Sequence, residues 1–186
     1  MAPMPVTDAA PAWRRFCERY LTAVQEVSGS LPITEHDPAT RSPCEVGEPD
    51  EHGTVMWRPV SRRPRSDLAA VQRQANVTLP AEVRDWLGGW WCLPIEATLL
   101  GEPMVLLGIA SPEDETALGA RWAQHLAARR LRHAEDTVPI GAFMNGRFLS
   151  VTCPQGEVRM ESPSRSLGFV AGSLGDFFEM LIPQAP

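Results

Sequence analysis

The residues able to do chemistry are four histidines, four cysteines, a serine among glycines and several runs of carboxylates. His36 with Asp37, and His52 further on, could be imagined around a metal ion. Their spacing matches no zinc or transition-metal pattern, and they are read as solvated loop residues. Cys17, Cys44, Cys92 and Cys153 are scattered, form no C-x-x-C pair and read as reduced thiols. Cys44 follows Pro43 without a recognisable base, so it makes a poor nucleophile. In Gly172-Ser173-Leu174-Gly175 the glycine directly precedes the serine, which departs from the G-x-S-x-G elbow of hydrolases. Ser173 with Asp176 reads instead as a helix cap. His125, inside a helical stretch, is read as a capping or local hydrogen-bonding residue. No Walker loop and no G-x-G-x-x-G fingerprint occurs. The expectation is a protein without catalytic residues, cofactor or metal, and not an enzyme.

One feature rises above this background. Between Leu31 and Gly53 lie Glu35, Asp37, Glu45, Glu48, Asp50 and Glu51, against Arg41 as the one cation. Four prolines, at 32, 38, 43 and 49, and little apolar periodicity mark the stretch as a long ordered loop. Long loops inside a compact domain are uncommon and often functional. The bland reading of such a run is a solvated face. The sharper one is an electrostatic docking surface for a basic partner, weakened by salt. Glu113 and Asp114 join the candidate set, although carboxylates in the first turn of a helix also serve its dipole.

The elements that must carry these residues read as follows. A helix spans about Asp8 to Ser28, with Trp13, Phe16, Tyr20, Val24 and Val27 on one face and Gly29 as its stop. Thr54–Arg58 reads as a strand ended by Pro59, and Ser61–Arg65 as a basic turn. A short helix covers Asp67–Ala75, and Pro80 opens another as an N1 proline, closed by Gly88-Gly89. Strands near Ile95–Leu100 and Met104–Ile109 flank a turn at Gly101-Glu102-Pro103. Ser111 caps a helix running to about Arg132, with Leu118, Trp122 and Leu126 inward and Arg129, Arg130 and Arg132 at the negative dipole end. Val138–Met144 and Phe148–Thr152 flank the hairpin signal Asn145-Gly146, and Glu157–Glu161 adds a strand. A closing helix starts at Ser173 and buries Leu174, Phe177, Phe178 and Leu181. The fold class is α+β, a largely antiparallel sheet packed with helices. Residues 1–7 are expected to be loose, and 8–183 to form one domain.

Composition narrows the partners. The chain has 186 residues and a net charge of −6, and its 17 basic residues are all arginine. An acidic surface does not suit the phosphate backbone of nucleic acids, and a basic partner suits it better. The most apolar stretch, Trp86–Ala110, is broken by glycine, proline and glutamate, so no membrane span is expected. The N-terminal residues lack the pattern of a secretory signal, which points to a cytoplasmic setting.

Across nearly the full length the chain resembles the Syd family, the SecY-interacting proteins of bacteria within the SUKH superfamily. The resemblance rests on Phe16-Cys17-Glu18-Arg19-Tyr20, Ser42-Pro43-Cys44, Trp57-Arg58-Pro59 and Leu106-Leu107 before Ser111-Pro112-Glu113-Asp114. It continues through His125-Leu126, Arg130-Leu131, Gly156-Glu157-Val158, Glu161 and Leu174…Phe178…Leu181…Pro183. It implies a SUKH-type α+β fold with an acidic concave surface. It also implies binding to basic cytoplasmic loops of SecY, to monitor or sequester improperly assembled translocon, and hence peripheral association with the inner membrane. Two positions depart from the family pattern: Gln124 replaces a glycine before the histidine, and Glu115 a bulky apolar residue. SUKH domains also include immunity proteins, so the alternative partner is a toxin domain.

Overall fold

In the computed structural model, which describes residues 8–185, Asp8 opens the first helix by accepting a hydrogen bond from the Ala10 amide. The segment 1–7 lies outside the described residues. Helix α1, Ala9–Ser28, buries Trp13, Phe16, Tyr20 and Val24 as the periodicity requires. Val27 does not join them: it sits in the last turn, past the core, and is 70% exposed. Gly29 ends the helix at φ 74°, a left-handed conformation that costs glycine nothing.

The acidic stretch is more ordered than a loop. Strands β1 (Ile33–Glu35) and β2 (Glu45–Val46) flank β3 (Thr54–Trp57) in an antiparallel sheet of order β1-β3-β2. Strands this short leave no alternation to read in the sequence. The small sheet is held to α1 by buried Trp57, whose ring lies 5.9 Å from that of Tyr20. Next, β4 (Val60–Ser61) pairs with β5 (Trp90–Trp91), bracketing α2 (Ala69–Ala75) and α3 (Ala81–Leu87). Pro80 caps α3 one position earlier than read. Gly88 does more than stop the helix. The Ser66 amide donates to its carbonyl at 2.8 Å, and a Cβ there would lie 2.0 Å from the Ser66 carbonyl oxygen.

The main sheet contains β6 (Ile95–Leu99), β7 (Glu102–Leu106), β8 (Thr137–Phe143), β9 (Phe148–Thr152), β10 (Val158–Glu161), β11 (Ser166–Ala171) and β12 (Ile182–Pro183). Its order is β11-β10-β9-β8-β7-β6-β12, every pair antiparallel. Leu100 and Gly101, both at positive φ, make a two-residue hairpin turn, so Pro103 falls inside β7 rather than in the turn. Strand β11 escapes a sequence reading because it carries Gly168 and exposes Leu167 and Phe169. Helix α4 (Pro112–Arg130) follows β7, and α5 (Leu174–Met180) precedes β12. Ser111 caps α4 and Ser173 caps α5.

One continuous hydrophobic core results, with two distinct regions. Helices α1, α3 and α5 meet in an aromatic cluster, with Phe178 packed at 5.1 Å from Trp13 and 5.2 Å from Trp86. Near the C-terminal half of α4, buried polar groups join the apolar core. Thr137, Ser150, Thr152 and Glu161 are buried there, and the register places Thr137 beside Thr152. Arg129 is no exposed dipole partner. It is buried, pairs with Glu161 and donates to the Glu135 carbonyl at 2.6 Å, while Ser150 Oγ donates to the second Glu161 oxygen. Trp122 Nε1 adds a hydrogen bond to the Pro139 carbonyl at 3.1 Å. His125 lies on the same face, its Nε2 3.3 Å from Thr137 Oγ1 and its ring edge-on to Phe148.

Glu161→Gln leaves the buried Arg129 charge uncompensated and should cost about 3 kcal/mol in urea unfolding. The double replacement Arg129→Met with Glu161→Leu should recover most of that loss, since apolar packing can replace a buried pair. Burial, then the Arg129 charge, hold the His125 pKa below its ordinary 6.5. The folded state therefore binds fewer protons there than the unfolded state. Its contribution is complete above the unfolded pKa and declines as pH falls below it. His125→Gln should flatten the acid side of the stability–pH curve, measured by urea midpoints between pH 7 and pH 5.

Candidate protein-docking surface

The carboxylates of segment 31–53 divide into those that build it and those that stand away from it. Glu45 builds it: its side chain is 4% exposed, pairs with His36 Nδ1 at 2.9 Å and sits 3.7 Å from Arg41. Its other oxygen accepts from the Ser42 amide at 3.2 Å. Asp50 holds the β2–β3 turn by accepting from the His52 and Thr54 amides and from Thr54 Oγ1. Those hydrogen bonds, led by the Thr54 amide, hold its carboxyl below the usual range. Asp37 accepts from the Ala39 amide.

Glu35, Glu48 and Glu51 face solvent. Glu35 has no hydrogen bond or ion pair from its side chain among the described residues. Glu48 is 83% exposed, 3.5 Å from Arg41, and Glu51 is 86% exposed, 3.6 Å from His52. At such exposure ion pairs contribute little, so both carboxylates stay open to other cations.

The segment is anchored to α4. Ser42 Oγ donates to the Ala110 carbonyl at 2.7 Å, and the Ala110 amide donates to Asp114 Oδ2 at 3.0 Å. Asp114 is thereby a structural residue as well as a candidate site residue. Glu113 beside it is exposed. The acidic stretch and the start of α4 thus form neighbouring parts of one surface. Across the small sheet, Ile33 pairs with Met56 and Met56 with Val46. Directly paired residues share a face, so this row carries apolar side chains next to the acids. Ile33 is 63% and Met56 41% exposed. The sequence offered no sign of that row, because its members come from three separate short strands.

Of the residues weighed for chemistry, Cys17 and Cys44 lie close enough to Cys92 to act on its thiol electrostatically. Cys44 is buried, and burial pushes its thiol up to about 11. Cys17, Cys92 and Cys153 are buried free thiols too, all raised by desolvation. A raised pKa removes the thiolate that nucleophilic or metal chemistry needs. His36 is committed to Glu45, and Ser173 Oγ accepts from the Asp176 amide as a cap. Among the described residues, no three His, Cys, Asp or Glu side chains converge as a metal site. Glu115 pairs with Arg62 and accepts from Ser66 Oγ at 3.0 Å. The Arg62 guanidinium lies 4.0 Å from the centre of the Trp91 ring. Arg62 thus engages both the Glu115 carboxylate and the Trp91 ring.

The family model described as Syd protein (SUKH-2) matches residues 10–183. The protein called Protein Syd of Aeromonas hydrophila is 36% identical over 164 residues, covering 86% of this chain and 89% of its own. Protein Syd of Pseudoalteromonas translucida is 27% identical over 170 residues, 90% of this chain and 93% of its own. That of Yersinia pseudotuberculosis is 25% identical over 183 residues, 96% and 98% respectively. With the match running from the first turn of α1 to β12, the chain belongs to the Syd family.

Proposed function

We propose that the chain binds basic cytoplasmic loops of SecY through the face formed by segment 31–53 and the start of α4, and so monitors or sequesters SecY that is not properly assembled. The observation that carries this reading is the exposure of Glu35, Glu48, Glu51 and Glu113 together with that of the Ile33–Met56 row. Family membership supplies the partner class. Acidic groups at a rim steer a cationic segment and speed its encounter, while the apolar row offers it a place to seat. Attachment to the cytoplasmic face of the membrane would then be peripheral, through SecY. No helix among the described residues is long and apolar enough to cross a membrane.

Peptides from the SecY cytoplasmic loops should bind, and the affinity should fall steeply with salt, because the screening length drops from about 10 Å at 0.1 M to about 3 Å at 1 M. The quadruple reversal Glu35→Arg, Glu48→Arg, Glu51→Arg and Glu113→Arg should abolish binding while leaving the circular dichroism spectrum and urea midpoint nearly unchanged. Undiminished binding by that variant would refute the electrostatic reading. Capture of a toxin domain in place of SecY would redirect it to immunity. Glu45→Gln should weaken binding by a different route: it loosens the segment, so the loss should be accompanied by faster amide exchange in residues 36–46.

A further inference from the structure

Where the buried polar groups near the C-terminal half of α4 reach the surface, they open into a cavity of about 510 Å³. Its walls are the last turns of α4, residues 134–135, strands β9 and β10, and the turn 162–166. We propose that this cavity binds a small oxyanion of the phosphate class.

The charge balance around it is the first reason. Arg129 is matched by Glu161, and Arg159 by Glu135 at 3.0 Å and Glu157 at 2.7 Å. Two further arginines on the wall, Arg132 and Arg165, have no carboxylate partner among the described residues. Arg132 donates only to backbone carbonyls, of Ala128 at 3.1 Å and Pro163 at 2.6 Å. The Arg165 side chain makes no hydrogen bond or ion pair among the described residues. Against the four arginines of this wall stand Glu135, Glu157 and Glu161, so the cavity keeps a positive excess within a chain of net charge −6.

The donors are the second reason. Ser164 of the turn and Ser166 at the start of β11 bring hydroxyls to the same wall, while the Ser162 hydroxyl there holds the turn by donating to the Arg165 carbonyl at 3.2 Å. Forked N–H groups with short hydroxyl donors match a tetrahedral oxyanion. Glu135 lines the cavity as well, but its charge is engaged by Arg159. The third reason is depth: His125 and Phe148 line the cavity, edge-on to each other at 5.7 Å. A bound anion would sit near the imidazole, which Arg129 and Arg132 of α4, Glu161 of β10 and Thr137 of β8 already influence.

Two probes at constant ionic strength test the site: inorganic phosphate, followed by calorimetry and the His125 ring signal, and phosphatidylcholine vesicles containing phosphatidic acid. Phosphate should bind saturably and raise the His125 pKa. Arg132→Ala and Arg165→Ala should each weaken binding by about tenfold, the loss expected for one charge-assisted hydrogen bond. Arg121→Ala, elsewhere on α4, should leave binding unchanged. Because the Arg165 side chain makes no hydrogen bond or ion pair among the described residues, its variant separates lost binding from lost structure. Binding of phosphate in solution assigns the site to free ligands, and binding confined to the vesicles, with the same arginine dependence, assigns it to a lipid headgroup. Absence of binding to both, or equal binding by all three variants, would overturn the proposal.

Discussion

The contact between Arg129 and Glu161 governs how α4 sits on the sheet. A buried charge persists only when it is paired and its remaining hydrogen-bonding positions are filled. Both conditions are met from four directions: α4 supplies the guanidinium, β10 the carboxylate, β9 a hydroxyl from Ser150, and the α4–β8 connection the Glu135 carbonyl. Hydrophobic packing alone would tolerate small shifts of a helix across a sheet. A fixed pair does not, because sliding by one residue would leave a charge buried without a partner. The position of α4 in turn places Ala110 and Asp114 at its other end, which are the points where the acidic segment is fastened.

That chain of dependence runs from the buried ion pair to the docking face. The acidic stretch and β3 have almost no core of their own: Pro32, Cys44, Val55 and Trp57 are their buried residues. The stretch stays ordered because Trp57 packs on Tyr20 and Ser42 bonds to Ala110. Three of its carboxylates are engaged in holding this shape, and the others are displayed by it. Acidic residues of one run therefore do opposite work. Those with backbone amides or His36 as partners give the segment its shape, and those without give the surface its charge.

Much of the architecture was legible in the residues. Trp13, Phe16, Tyr20 and Val24 mark α1 through their spacing; Ser111-Pro112 and Asn145-Gly146 mark a helix start and a hairpin through local backbone chemistry. Elements governed by partners far away in the chain were not legible. β1, β2 and β5 are too short to alternate, and β11 pairs along an edge with exposed Leu167 and Phe169. The role of Glu45 was equally hidden, since nothing in its neighbourhood of the chain separates it from Glu48.

What the sequence by itself determined is the class of the protein: an α+β chain of the Syd pattern, net acidic, with its negative charge gathered between residues 31 and 53. The Syd pattern follows from the resemblance of ordered motifs along the chain, and the fold class and charge from local periodicity, capping and composition, which each residue carries wherever it is placed. Only the tertiary structure decided which charges are available. Arg129, read as a partner of the α4 dipole, is buried against Glu161, while Arg132 and Arg165 are left without carboxylates at a cavity. A charge's meaning depends on its solvent exposure and on the nearest opposite charge, and both are properties of packing between residues distant in sequence.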